Sequence, residues 1–176
     1  MKLIAIKAMV FATTVSVLTA CSAPNIGNMT VVQIDETSVP QGLKGKVHVG
    51  EVVGDVKGLS IMLLGITNKD QVKKSFKSSL EQSLEFAGMK GGSGSPIVIH
   101  ANIKKLASSG VFSTTKNMEV IYRYGSSEMM DEFVVESSAT VTMSEERLGD
   151  RRALRAIERA SESNIQKFLE RLISGG

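Results

Sequence analysis

Residues able to do chemistry are few in this sequence, and they form no recognisable catalytic or metal-binding pattern. The chain has two histidines, His48 and His100, and one cysteine, Cys21. Both histidines lie in segments with strand-like alternation, where a histidine is more often a half-exposed packing residue than a ligand. Zinc sites need cysteine and histidine ligands at short spacings, and the sequence has no such cluster. We therefore expect no metal site and no cofactor.

Acidic, glycine-rich and serine-rich stretches do not indicate an active site either. The carboxylates that form small groups are Asp131, Glu132 and Glu136, and then Glu145 and Glu146. Their positions in a strand pattern and before a helix indicate solvated charge or interaction with a helix dipole. The GGSGSP stretch at 91–96 precedes a strand pattern rather than the helix N-terminus that a phosphate loop needs. No Gly-x-Ser-x-Gly elbow exists, so the sequence predicts a protein that is not an enzyme.

The position of Cys21 gives that residue a chemical role. Lys2 and Lys7 form a positive region, 13 uncharged residues from Ala8 to Ala20 follow, and small residues precede the cysteine, which is the pattern of an export signal. The uncharged stretch is shorter than the ~20 residues that a membrane-spanning helix needs. Because a single cysteine cannot form an internal disulfide, an exported chain gains little from it unless the thiol is modified or pairs between molecules.

Leu18, Thr19, Ala20 and Cys21 resemble the lipobox of bacterial lipoproteins. In that family the signal peptidase recognises the first three positions, and the cysteine carries acyl chains that anchor the protein in the membrane. The resemblance implies a mature chain that begins at Cys21. Ser22 stands where the family's inner-membrane retention signal would be Asp, so the resemblance favours the periplasmic face of the outer membrane. A soluble secreted protein whose cysteine falls near the cleavage site by chance is the alternative.

Net charge and chain length narrow the possible functions and the domain organisation. Removal of Lys2 and Lys7 with the signal leaves 19 of the 21 basic residues against 18 acidic ones, and the chain has two Tyr and no Trp. A nearly neutral surface with few stacking residues argues against nucleic-acid binding. We expect a signal peptide at 1–20, a lipidated tether at 21–29 and a single periplasmic domain at 30–176.

Hydrophobic periodicity predicts an α+β domain. We expect strands at Thr30–Asp35 and about Gly45–Val56, and an amphipathic helix from Asn68 to about Ala87. Three more segments show strand-like alternation, and a second long helix follows: the strands begin near Ile97, Asn117 and Asp131, and the helix runs from about Asp150 to Ile173. The elements predict a two-layer sandwich, with an antiparallel or mixed four- to five-stranded sheet and both helices packed on one face.

The lipobox, the helix FKSSLEQSLEFAG, the run of three strands and the closing ASESNIQKFLERL together resemble small, uncharacterised lipoproteins of Gram-negative bacteria. More distantly, the order of elements is similar to the lipopolysaccharide-assembly lipoprotein and other envelope scaffold lipoproteins. Both resemblances imply a membrane-anchored domain, and a shared fold does not carry function.

The apolar stretch GLSIMLLGI at 58–66 lies between a strand and a helix, where a polar loop is the usual connection. A buried extra strand is one explanation. The other is an exposed patch that contacts a partner protein or lipid. Its candidate contact residues are Leu59, Ile61, Met62, Leu63, Leu64 and Ile66.

Two functions follow from these expectations. The favoured one is a non-catalytic structural or assembly lipoprotein, anchored to the membrane by its acyl chains and bound to another envelope protein. The alternative is a carrier that binds an apolar or envelope-derived ligand between its helices and its sheet. Exposed strand edges also make a homo-oligomer plausible.

Overall fold

The computed structural model describes residue 29 and residues 32–54, 69–109 and 113–175. The elements, in chain order, are a short 3-10 helix (Glu36–Ser38), β1 (Val47–Val53), α1 (Lys69–Phe86), β2 (Ile97–Ser109), β3 (Ser113–Gly125), β4 (Met130–Thr142) and α2 (Gly149–Ser174). The strands form one mixed sheet in the order β1-β2-β3-β4. β1 is parallel to β2, whereas β3 is antiparallel to both of its neighbours.

Side chains alternate between the two faces of this sheet, as the period-two pattern predicts. In β3, the even-numbered residues from Lys116 to Tyr122 are buried, while their odd-numbered neighbours are exposed or half-buried. In β4, Phe133, Val135 and Ser137 are buried in the same way. We call the buried side the inner face and the opposite side the outer face.

Both helices lie on the inner face. The Tyr122 ring stacks on Phe168 of α2 with 3.9 Å between ring centroids, and it lies 6.5 Å from Phe76 of α1. Because one side chain of β3 contacts both helices, α1 and α2 cover the same side of the sheet. The predicted fold class is therefore confirmed, with four strands in the described part of the sheet.

A buried hydrogen-bond network joins α2 to the sheet. The Tyr122 hydroxyl donates to Asn164 Oδ1 at 2.8 Å, and the Asn164 amide donates to the Val135 carbonyl at 2.9 Å. The Ser137 hydroxyl donates to the Ala160 carbonyl at 2.8 Å. A buried polar group without a partner costs about 1–3 kcal/mol, so this network fixes the position of α2 along β3 and β4.

The strand predicted at Thr30–Asp35 is wrong for residues 32–35, which form no strand; Thr30 and Val31 lie outside the described residues. The Val32 N–H donates to the Ser83 hydroxyl at 3.0 Å, and the Met29 carbonyl accepts from the Ser79 hydroxyl at 2.6 Å. Serine side chains of α1 thus satisfy backbone groups that a strand would pair with a neighbouring strand.

The second predicted strand is shorter than expected, because β1 ends at Val53. Gly54 has a φ of 151°, and a Cβ at this position would lie 2.3 Å from the Ile103 carbonyl oxygen. The close approach to β2 therefore requires glycine at this point. The remainder of that prediction, up to Val56, lies outside the described residues.

Replacing Tyr122 with Phe tests the buried network. The variant keeps the ring stacking but leaves Asn164 Oδ1 without its donor, so we expect Tyr122→Phe to lower the free energy of unfolding by about 1–3 kcal/mol in urea titrations. Tyr124→Phe is the matched control, since the Tyr124 ring is half-buried and its hydroxyl bonds no described residue. A loss at Tyr122 no larger than that at Tyr124 would contradict this account.

Candidate functional site

The outer face carries a groove that neither α1 nor α2 covers. The groove has a volume of ≈ 580 Å³. It lies across β1, β2, β3 and the turn into β4, and its lining residues are Glu51, Val53, Val98, His100, Asn102, Arg123, Gly125, Ser126, Ser127 and Met130. We call it the outer groove.

One wall of the outer groove is built on an irregularity in β1. The register of β1 against β2 shifts at Gly50 and Glu51. The Glu51 N–H donates to His100 Nδ1 at 3.2 Å, and the Gly50 carbonyl accepts from Lys77 Nζ at 2.8 Å. A β-bulge leaves backbone groups unpaired, and here side chains from β2 and α1 satisfy two of them.

Gly50 is required for this arrangement because the His100 ring lies directly against it. A Cβ at position 50 would lie 2.7 Å from His100 Cε1 and 3.0 Å from a Val98 methyl carbon. Since Nδ1 accepts a hydrogen bond, the neutral imidazole carries its proton on Nε2, which is a donor. The bulge therefore fixes both the position and the tautomer of His100.

The outer groove combines hydrogen-bond donors with apolar side chains. Its donors are the His100 ring, the Asn102 amide and Arg123, whose guanidinium lies 3.7 Å from the Glu132 carboxylate. Within the described residues, no group of three or more His, Cys, Asp or Glu side chains is arranged to hold a metal ion. Polar groups set among Val53, Val98 and Met130 form a surface that a protein or peptide can contact reversibly.

Glu145, one of the carboxylates noted in the sequence, has a structural role. The Glu145 carboxylate accepts from the Thr142 N–H at 2.9 Å and lies 2.7 Å from Arg159 Nη1. The Thr142 backbone hydrogen bond, together with Arg159 and the Thr142 hydroxyl, lowers the pKa of Glu145 to about 2. This carboxylate is ionised at neutral pH and closes the turn after β4.

One buried amine lies on the inner face. Lys116 is 2% exposed, its strand neighbour in β4 is Ala139, and it bonds no described residue through its side chain. Burial lowers the pKa of Lys116. Because the unfolded chain then binds more protons between the lowered pKa and the ordinary value, Lys116 makes stability rise with pH over that range.

The residues selected from the sequence as functional lie outside the described part of the chain. This holds for Cys21 and for the recognition residues Leu18, Thr19 and Ala20. It also holds for the apolar contact residues Leu59, Ile61, Met62, Leu63, Leu64 and Ile66. Each of these assignments stays a prediction.

The outer groove was not predicted from the sequence, although the alternating pattern of β2 indicated which of its residues share a face. The alternation that begins near Ile97 places Val98, His100 and Asn102 on the face opposite Ile99 and Ala101, and in the structure these three residues line the outer groove. The bulge at Gly50 had no sequence signal beyond the glycine itself. Arg123 lies beside His100 in the outer groove because β3 pairs with β2 in this register, which the order of residues does not show.

In the described part of the chain, neither helix has the length and apolar character that crossing a membrane requires.

Solved structures share this fold at low sequence identity. A candidate lipoprotein of Caulobacter crescentus matches with a TM-score of 0.53 and 12% identity, over 81% of this chain and 100% of its own. A DUF330-family protein of Xanthomonas campestris matches with a TM-score of 0.53 and 12% identity, over 82% of this chain and 92% of its own. A hypothetical protein of Chlamydia trachomatis matches with a TM-score of 0.51 and 12% identity, over 74% of this chain and 96% of its own.

No protein-family model matches the chain, and no curated protein matches it. At 12% identity, the solved structures show a common fold and nothing further about activity. The protein of Caulobacter crescentus is a candidate lipoprotein.

Replacing Gly50 with Ala tests the bulge. The added methyl group displaces the His100 ring and breaks its hydrogen bond to the Glu51 N–H, so we expect the free energy of unfolding to fall by about 1–3 kcal/mol in urea titrations. Gly92→Ala is the matched control, since a Cβ there has nothing within 4 Å. A Gly50→Ala/His100→Ala double variant should recover part of the loss, because the displaced ring is gone. Equal stability of the two single variants would rule out the bulge as a constraint.

Proposed function

We propose that this chain is a membrane-anchored lipoprotein that acts as a non-catalytic structural or assembly component of a cell-envelope complex. In this proposal, cleavage after Leu18, Thr19 and Ala20 exposes Cys21, whose acyl chains hold the protein on the periplasmic face of the outer membrane. The folded domain then presents its outer face to a partner protein.

The observation that carries this proposal is the one-sided covering of the sheet. Tyr122 contacts helices on the inner face only, and the outer face holds the outer groove. Antiparallel sheets commonly have one solvated face, but a concave one with convergent donors is a suitable surface for recognition. The outer groove is thus the proposed contact for the envelope partner.

The short tether supports a role close to the membrane. Met29 is fully buried, and its carbonyl accepts a hydrogen bond from the Ser79 hydroxyl of α1, so Met29 packs against the folded domain. Seven residues lie between Cys21 and Met29, and the eight Cα–Cα steps of a fully extended chain span at most ~29 Å. An anchored domain would therefore stay near the bilayer, where its partner would be another envelope protein. The apolar residues from Leu59 to Ile66 remain a second proposed contact.

The fold supports the same proposal without establishing it. The similarity to a candidate lipoprotein of Caulobacter crescentus agrees with the lipobox resemblance of residues 18–21. The carrier alternative requires space between the helices and the sheet. Tyr122 and Phe168 fill that space where α2 crosses β3, since their rings stack at 3.9 Å. We therefore retain the assembly role as the proposed function.

Site-specific photo-crosslinking in intact cells tests this function. A photoreactive amino acid at Asn102 lies in the outer groove, whereas the same group at Gln166 lies on the exposed side of α2. We expect one discrete crosslinked envelope protein from position 102, none from position 166, and loss of the product when Cys21→Ser removes the lipid attachment site. Crosslinks from both positions, or an undiminished product in the Cys21→Ser chain, would contradict the proposal.

A further inference from the structure

The β4 edge of the sheet is closed over only half of its length. β4 is the terminal strand of the described sheet, so the backbone groups on its free side pair with no described strand. Side chains bond three of these groups: the Glu136 carbonyl with Lys167 Nζ at 2.8 Å, the Thr140 carbonyl with Arg159 Nη1 at 3.5 Å, and the Thr142 N–H with Glu145 Oε2 at 2.9 Å. All three groups belong to even-numbered residues of the second half of the strand.

The first half of β4 has no comparable covering among the described residues. Backbone groups of successive strand residues point to opposite sides, so the even-numbered Met130, Glu132 and Val134 also face the free edge. No described side chain bonds their backbone groups, and Val134 is 49% exposed. The pairing of β4 with β3 runs without a bulge from end to end, and β4 contains no proline. Apart from the charges of Asp131 and Glu132, the described residues give this half none of the protection that natural edge strands normally carry, so it can pair with another strand.

We propose that the open half of β4 binds a second copy of this chain, with the two β4 strands antiparallel about a two-fold axis at Phe133. The two four-stranded sheets would then continue as one sheet of eight strands, with both helix layers on the same side. This pairing uses the strand edge and leaves each outer groove free, so it is distinct from the proposed binding of an envelope partner.

The two-fold axis could pass through residue 131, 132, 133 or 134 of the open half, and each choice gives a different register. The acidic residues of β4 favour the register centred on Phe133. Centring the axis on residue 131 or 132 places Asp131 or Glu132 opposite its own copy. Centring it on Val134 places Glu132 opposite Glu136. Like charges directly opposite each other destabilise a strand pair. Only the axis at Phe133 opposes each acidic side chain with an apolar one.

In that register, Glu132 lies opposite Val134 of the second copy, and Asp131 lies opposite Val135. The charge of Glu132 is balanced within its own chain by Arg123, at 3.7 Å. The exposed Val134 side chain gains an apolar contact with the stem of Glu132 across the axis.

The same register brings together two charged groups that have no ion-pair partner in the described residues. The Arg171 guanidinium carbon lies 4.3 Å from the centroid of the Phe133 ring. Asp131 of one copy becomes the diagonal neighbour of Phe133 in the other copy, at about 7–8 Å between backbones. A long arginine side chain can cover that distance, so Asp131 of each copy can form an ion pair with Arg171 of the other. The two-fold axis gives two such ion pairs in the dimer.

The contact is small, because a stable interface usually buries more than about 1,000 Å² and a short strand ladder buries less. We therefore expect a reversible dimer. If both copies are anchored as in the proposed function, their confinement to one membrane raises the effective concentration and favours pairing.

Charge exchange tests the register in the full chain, purified in detergent and measured by sedimentation equilibrium. We expect the dimer dissociation constant to rise by about tenfold in Asp131→Arg and in Arg171→Asp, because each places like charges across the axis. The double variant Asp131→Arg/Arg171→Asp restores opposite charges and should return to within about threefold of the unchanged chain. Neither residue forms an ion pair with a described residue of its own chain, so the single variants break no ion pair among the described residues.

Proline variants test the strand edge independently. Val134→Pro removes an outward N–H and should abolish dimerisation, whereas Ser138→Pro makes the same change in the covered half and should leave it unaltered. Circular dichroism checks that both variants keep the fold. A chain that remains monomeric at ~100 μM, well above a micromolar dissociation constant, would overturn the proposal. A double charge variant no tighter than either single variant, or equal effects of the two prolines, would also overturn it.

Discussion

The burial of the Tyr122 side chain is the interaction on which the rest of the structure depends. Its ring is fully buried between the sheet and both helices, and its hydroxyl must find a partner because no water reaches it. Asn164 supplies that partner and at the same time bonds the Val135 carbonyl of β4. One tyrosine therefore fixes which face the helices cover and where α2 lies along the strands.

The open surfaces of the molecule follow from this one-sided packing. Since α1 and α2 are both held on the inner face, the outer face has no described helix above it. The bulge at Gly50 then shapes that face by seating the His100 ring against β1. On the β4 edge, Lys167 and Arg159 of α2 reach only the second half of the strand. The position of α2 thus decides which part of the edge stays free.

The sequence predicted the elements whose periodicity reports burial directly. The alternation in β3 and β4 and the apolar stripes of α1 and α2 identified the core, because each pattern repeats over many residues. The segment at 32–35 was misread as a strand because its alternation is short and its true partners are two serines of α1. A side chain that bonds a distant backbone group leaves no periodic signal. For the same reason, neither the outer groove nor the half-covered edge could be predicted from residue order alone.

The central claim is that the outer face is occupied in the native envelope. Hydroxyl-radical footprinting of methionines tests it in the Val134→Pro chain, in which pairing of the β4 edge cannot protect Met130. Met130 lines the outer groove, whereas Met143 is 48% exposed and lies beyond the end of β4. The account predicts that Met130 is oxidised more slowly in intact envelopes than in the purified protein, while Met143 reacts at the same rate in both. Equal oxidation of Met130 in the two samples, or equal protection of Met130 and Met143, would contradict it.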